Sequence, residues 1–274
     1  MKVRLRGESI NSFLNRMHLG KKKIYDLRIN KKISGNYKDF DEVLNEEIDI
    51  NLDEDINYNP TEGNLDIIYE DDNYLVINKP RGIIIHDESN SLANIVASYY
   101  IKNNIKAEVR YPSRLDRNTT GVVIFPKNML IASYLDFLFA NDEIKKEYIA
   151  LCHNEFKNDN GTINYNISTD RHNNNKMVTT INGKKAITNY KVLKNGKISY
   201  VSINIKTGRT HQIRVHFAKI GHPILGDDIY GLNDGELMLH CKKIEFVNYD
   251  GKKISFIANE DNKFREKTKE ISVF

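Results

Sequence analysis

The chain has 274 residues, 40% of them hydrophobic and 28% charged, enough to bury a core in one large domain and leave room for a small second one. No run of about 18 apolar residues offers a membrane span, and the opening MKVRLRGES has no apolar signal core, so a soluble cytoplasmic protein is expected. The net charge of +4 conceals opposing blocks: residues 1–32 carry 10 Lys+Arg against 2 Asp+Glu, residues 33–71 carry 1 against 13, and the remainder is basic again. Basic faces suit phosphate backbones, but they are also ordinary solvated surface, so charge alone leaves nucleic-acid binding open.

In chain order, Asn11 to Met17 and Lys21 to Ile29 read as two short helices, with Ile10, Phe13, Leu14 and Met17 at helical spacing and His18-Leu19-Gly20 as the break. Ser34-Gly35-Asn36 marks a turn, and Ile48, Ile50 and Leu52 alternate as a strand. The polar, acidic DEDINYNPTEGN, punctuated by Pro60 and Gly63, places a boundary near residue 60. The expected organisation is a small α+β module over residues 1–58, a linker over 59–64 and a catalytic domain over 65–274.

Beyond the boundary, strands and hairpins dominate. In YLVINKPRGIIIH, two apolar runs are joined by Lys79-Pro80-Arg81-Gly82, which suits a turn with Pro second and Gly last. Asn195-Gly196 is a strong hairpin signal between NYKVLK and KISYVSINI, and Asn160-Gly161 and Asp250-Gly251 are weaker ones. Two helices intervene: Ser91 caps Leu92, Ile95, Val96 and Tyr99, and Asn128 caps Ile131, Tyr134, Leu135 and Leu138. The fold class is α+β, with a mixed, mostly antiparallel sheet and flanking helices.

Three stretches combine charge with glycine or proline where a hydrophobic strand gives way to a corner: INKPRGIIIH, SRLDRNTTG and KTGRTHQIRVHFAKIGHPILGDDIYG. No Gly-rich loop ending in Gly-Lys-Ser/Thr and no Gly-x-Ser-x-Gly elbow is present. His211 and His216 lack the spacing of a metal pair on a helix, and Cys152 and Cys241 sit in no zinc pattern and read as reduced core thiols. What remains is Asp116 between two arginines. A carboxylate kept ionised by neighbouring positive charge can serve as nucleophile or electrostatic stabiliser, and carboxylates attack sugar carbons in glycosyl transfer. In an extended segment Arg114 and Asp116 point the same way, so both can act on one nucleotide.

These residues resemble a known family. SRLDRNTTGVVIFPK is similar to the signature of the RluA-type pseudouridine synthases, usually His-Arg-Leu-Asp-x-x-Thr-Ser-Gly followed by four residues and Ala-Lys. NKPRGIIIH resembles their Asn-Lys-Pro-x-Gly motif, KKEYIAL their Lys-x-Tyr strand, TGRTHQIRVHFAKIGHPILGDDIYG their longest motif, and LMLHCKKIEF their closing Leu-His segment. The five motifs stand in the family's order over roughly residues 66–248.

The resemblance implies the pseudouridine synthase fold and isomerisation of RNA uridines, with the base detached, turned and reattached through C5 and no cofactor or metal required. It makes Asp116 the nucleophile, pairs Arg209 with it, sets Tyr148 against the uracil with a part in removing the C5 proton, and sends Arg114 into the space the everted base leaves. It also places Lys79, His211 and Arg214 among the substrate-binding residues. RNA, ribosomal or transfer, is the expected partner and the protein is expected to be a monomer.

Ser113, Thr120 and Pro126 depart from the family's usual His, Ser and Ala, which bears on substrate choice more than on chemistry. Residues 1–58 weakly resemble an S-four-like RNA-binding module without its usual Val-x-Val-Asn-Gly core. Two rival readings stay open at this point. One is a non-catalytic RNA-binding protein that keeps the fold, and the other is a nucleoside glycosidase, which normally uses a second carboxylate.

Overall fold

A short polar side chain starts the first helix. In the computed structural model, which describes residues 1–272 apart from 88, 174 and 175, strands β1 (Lys2–Arg4) and β2 (Glu8–Ser9) lead into α1 (Ile10–Arg16), where Ser9 Oγ accepts from the Ser12 N–H at 3.1 Å. Residues 273 and 274, the end of the expected catalytic domain, lie outside the described residues. Helix α2 (Lys21–Ile29) follows, then β3 (Ile33–Ser34), β4 (Val43–Leu44) and β5 (Glu47–Ile50). β1, β5 and β3 form an antiparallel sheet that buries Val3, Ile33, Ile48 and Ile50 against Phe13 and Leu14 of α1.

This unit is docked on the rest of the chain. His18, in the left-handed region at φ 55°, lays its ring flat on Phe137, with centroids 3.5 Å apart and planes 6° from parallel. Arg16 Nη1 donates to the Tyr249 carbonyl at 2.6 Å.

The segment 53–62 is held along its length. Glu54 grips Arg110 with two hydrogen bonds of 2.6 Å, the Asn57 side chain bonds both the N–H and the carbonyl of Val109, and Tyr58 meets the Tyr111 hydroxyl at 2.8 Å. Its acidic character is thus matched by cations of the larger unit, Lys102 and Lys106 included.

The larger unit is built on β6 (Ile67–Glu70), β7 (Tyr74–Lys79), α3 (Leu92–Lys102), β8 (Thr120–Pro126), α4 (Met129–Ala140), β9 (Lys145–His153), β10 (Asn160–Ile163), β11 (Ile167–Thr169), β12 (Met177–Thr179), β13 (Thr188–Lys194), β14 (Ile198–Ile205), α5 (Gln212–Lys219), β15 (Leu239–Val247), β16 (Lys253–Ile257) and α6 (Asn262–Ser272). Among the described residues the main sheet runs β10-β13-β14-β9-β15-β8-β7-β6, with β16 added to β15. Every neighbour pair is antiparallel except β8 with β15. The class is α+β, as expected.

Every residue of β8 is buried, which marks a central strand covered on both faces. Asn128 Oδ1 caps α4 by accepting from the Ile131 N–H at 3.0 Å, and Leu130, Ile131, Leu135 and Leu138 are buried beneath it. Each contributes about 1.5–3 kcal/mol over an exposed side chain. Ser91 and Asn94 form a capping box on α3.

One expected turn is absent, and one expected turn forms without the second strand it was to join. Asn160-Gly161 lies inside β10, paired with Lys191 and Tyr190, because the segment gains a ladder of hydrogen bonds that no isolated turn offers. After Gly82, at φ +83°, the run Ile83–Ile85 forms no strand. It passes under the start of α3, where the Ile84 and Ile85 carbonyls accept from the Leu92 and Ala93 N–H groups.

Gly121 is required where the parallel pair closes: its φ is +114°, and a Cβ there would lie 2.2 Å from the Cys241 carbonyl oxygen. This corner delivers the segment before it, residues 113–119, to the edge of a cleft.

Candidate active site

The cleft has a volume of about 1460 Å3 and is lined by Asp116, Tyr148, Arg209, His211 and Arg214 together with Arg114. That exceeds the ~300–1,000 Å3 common for small-molecule pockets and suits a segment of polymer. Chain positions far apart in sequence therefore converge, as the three charged corners lead one to expect.

Asp116 is held by its backbone. Its carbonyl accepts from the Thr119 N–H at 3.1 Å, and the loop it begins is pinned to the turn after β7: the Arg117 carbonyl accepts from both the Gly82 N–H and Lys79 Nζ, Arg117 Nε donates back to the Gly82 carbonyl, and Arg81 Nη1 donates to the Asn118 carbonyl. The Asn-Lys-Pro-Arg-Gly motif thus works as the anvil of the Asp116 loop.

Lys79 therefore has a different place from the one expected of a substrate-binding residue. It is fully buried, does not line the cleft, and spends its donors on the Pro80 and Arg117 carbonyls at 2.9 Å each. Burial lowers its ammonium from 10.5 to about 7, with the Asp116 charge pulling the other way. Below about pH 7 both folded and unfolded chains are protonated there, and the burial penalty is present in full. Between about 7 and 10.5 the unfolded chain binds more protons, so stability rises with pH. The thermal midpoint of the wild type, taken relative to a Lys79→Met variant, is expected to climb between about pH 7 and pH 9. A difference that stays flat would show that Lys79 has an ordinary pKa.

The Asp116 carboxylate is 27% exposed and faces two groups of α5's first turn: Arg214 Nη1 at 3.8 Å and His211 Nε2 at 3.9 Å. The guanidinium expected from Arg209 is supplied by Arg214. Arg209 precedes the helix, lines the cleft as an exposed side chain, and donates Nε to the Lys185 carbonyl at 3.0 Å. The reason is helical geometry, which carries Arg214 inward on the buried face of α5 while Arg209 stays in the loop before the cap.

Arg214 is aimed by acidic residues that the sequence reading did not single out. Asp227, fully buried, takes Nε at 2.9 Å and Nη2 at 2.7 Å in a two-pronged pair, and Asp228 takes Nη2 at 2.8 Å. Burial, the largest single influence, would raise the Asp227 carboxyl, but the Arg214 hydrogen bonds and charge, with the Tyr230 and Ile229 N–H groups, together hold it below its ordinary value. The signal was available: an arginine inside a helix's apolar face needs a carboxylate, and GDDIYG follows it within the same motif.

His211 sits in the left-handed region, φ 52°, at the cap of α5. Its Nδ1 lies 2.9 Å from the Tyr230 hydroxyl, whose oxygen already accepts from the Met177 N–H. The direction of the Tyr230–Nδ1 bond follows the imidazole tautomer, and Nε2 is the nitrogen that faces Asp116. Burial lowers the His211 pKa, although Asp116 pulls it upward.

Tyr148, on β9, is buried at the cleft floor, cross-strand from Cys241 of β15. Burial, and next the Cys241 thiol, push its phenol well above the ordinary value. Thr119 also lines the cleft, and its buried Oγ1 has no protein partner among the described residues. Thr120 shares a hydrogen bond with His240 Nδ1 at 2.8 Å through its hydroxyl, a group that serine also carries. Arg114 is exposed at the cleft wall beside Ser113. His216 lies away from the cleft, bonded to Thr188 and to the Tyr165 carbonyl.

A family model described as RNA pseudouridylate synthase matches residues 73–219. An uncharacterized RNA pseudouridine synthase of Bacillus subtilis is 37% identical over 199 residues, 69% of this chain and 66% of that protein. The ribosomal large subunit pseudouridine synthase D of Borreliella burgdorferi is 40% identical over 195 residues, 65% of this chain and 60% of that one. The chain thus spans about two thirds or less of the length of these two relatives. Among solved structures, Human RNA Pseudouridylate Synthase Domain Containing 4 superposes with a TM-score of 0.65 at 23% identity, covering 75% of this chain and 92% of that one, a likeness of fold.

Proposed function

The chain belongs to the RNA pseudouridylate synthase family, and on that premise we propose that it isomerises uridine to pseudouridine in RNA, with Asp116 as the nucleophile. The observation that carries the reading is one carboxylate at the edge of a polymer-sized cleft, faced by the oriented guanidinium of Arg214.

In the proposed reaction an Asp116 oxygen bonds to C1′ as the N1–C1′ bond breaks. The freed uracil turns, C5 bonds to C1′ as the Asp116 ester bond breaks, C5 loses its proton to a base, and N1 regains one, so the atoms balance. Arg214 offsets the charge on the carboxylate before attack and after release, with His211 Nε2 beside it. Tyr148 keeps its proton, so its proposed part is packing against the uracil and not accepting the C5 proton as a phenolate. Arg114 fills the place of the everted base, and Arg209, exposed at the cleft mouth, serves as a phosphate contact.

The finer reading is ribosomal RNA, with transfer RNA as the alternative, modified in the cytoplasm by a monomer. Residues 1–58 serve as a further RNA-binding surface, supported by the exposed Lys21, Lys22, Lys23 and Arg28 of α2 on a unit docked beside the cleft helix α4. No helix of the described residues is long and apolar enough to cross a membrane.

Mapping of pseudouridines by carbodiimide treatment and primer extension, in RNA from cells with and without the gene, tests the proposal. One or more sites are expected to vanish from large-subunit ribosomal RNA in the deletion. An unchanged map in both ribosomal and transfer RNA overturns the assignment.

A further inference from the structure

We infer that the His86–Tyr111 ring pair at one end of the cleft is a stacking site for an unpaired nucleobase flanking the target uridine, and so a determinant of which RNA segment is accepted. The inference rests on the proposed RNA substrate and extends it to a second nucleotide.

Both rings line the cleft, next to Pro112, Ser113 and Arg114. Their centroids are 5.1 Å apart and their planes 46° from parallel, so they do not cover one another face to face. His86 is exposed and Tyr111 half-buried, which leaves aromatic surface open toward the space where RNA is proposed to lie.

Tyr111 is fixed before any ligand arrives. Its hydroxyl bonds Tyr58 at 2.8 Å, the preceding Arg110 is gripped by Glu54, and Val109 is gripped at both backbone polar groups by Asn57. A ring immobilised in this way loses little entropy when a base stacks on it, which favours binding over an equivalent mobile side chain. Stacking on an aromatic face accepts any base, because every base has a π-face, and recognition of splayed single-stranded bases by such rings is how proteins commonly read RNA.

The neighbouring cation completes the arrangement. Arg114 lies close enough to Tyr111 for its charge to act on the phenol. A guanidinium entering the RNA strand beside the everted uridine therefore brings the adjacent base onto the Tyr111 and His86 rings, where the base regains the stacking it loses in the strand.

The test is binding, so it does not depend on turnover. The probe is a nine-nucleotide single-stranded RNA with one central uridine flanked by adenosines, compared by fluorescence anisotropy with the same strand made abasic at each flanking position in turn. The full-length wild type is expected to bind the intact strand roughly tenfold to hundredfold more tightly than the strand abasic at one of the two adjacent positions. Tyr111→Leu and His86→Ala should each shrink that preference severalfold or more, and Tyr111→Phe, which keeps the ring and loses the Tyr58 bond, should retain it. The inference is overturned if the wild type shows no preference for the intact strand, or if Tyr111→Leu and His86→Ala both keep it. Should Tyr111→Leu fail to fold, His86→Ala alone decides. A pseudouridine map unchanged by gene deletion would remove the isomerase reading and leave this binding result standing by itself, so the two failures are distinguishable.

Discussion

An Asp116→Asn protein is expected to bind RNA nearly as well as the wild type and to form pseudouridine on the order of 10³-fold or more slowly. The amide fits the same space but cannot supply the oxygen nucleophile that joins C1′. Folding should be little affected, because Asp116 is 27% exposed and its contacts with Arg214 and His211, at 3.8 and 3.9 Å, are too long for strong hydrogen bonds. Single-turnover assays with a transcript carrying the mapped uridine, set beside filter binding of the same transcript, read both quantities. Wild-type turnover in the variant removes Asp116 from the chemistry. Loss of binding together with turnover points to a positioning role, and free uracil among the wild-type products points to a glycosidase.

The second large effect is at Arg214. Arg214→Met leaves Asp227, with no exposed side-chain surface, holding its charge, among the described residues, against only the Ile229 and Tyr230 N–H groups. Breaking a buried pair from one side costs about 3–5 kcal/mol, which a urea midpoint will report. The double variant Arg214→Met/Asp227→Leu is expected to regain most of that stability, because two apolar groups can replace a buried ion pair with little loss. Turnover should stay low in both, since neither presents a guanidinium to Asp116. A double variant that recovers activity along with stability would show that Arg214 acts only through the fold.

The places where sequence reasoning succeeded and failed divide by distance along the chain. Helices α1 to α4 start within one residue of the sequence-based expectation, and at α1 and α4 the reason is local, because the caps Ser9 and Asn128 act on N–H groups three residues away. Asn195-Gly196 joins β13 to β14 for the same reason. Asn160-Gly161 carries a similar dipeptide yet lies in a strand, since the neighbour that pairs with it, Tyr190, is distant in sequence. The polar run near residue 60 reads as a linker in isolation. In the fold its carboxylates and Asn57 meet Lys102, Lys106, Arg110 and Val109, partners that no local pattern could reveal.

For the site, the sequence by itself determined which motifs carry charge at strand ends, that Asp116 is flanked by arginines, and that a family pattern runs through residues 66–248. Only the tertiary structure decided that Arg214, and not Arg209, reaches the carboxylate, that Lys79 is buried under the loop as an anchor, and that Asp227 orients the guanidinium. The physical reason is that side-chain type and local turn chemistry act over a few residues. The direction of a charged group depends on which face of its helix is buried and on what else must be satisfied there, and both are properties of the packed molecule.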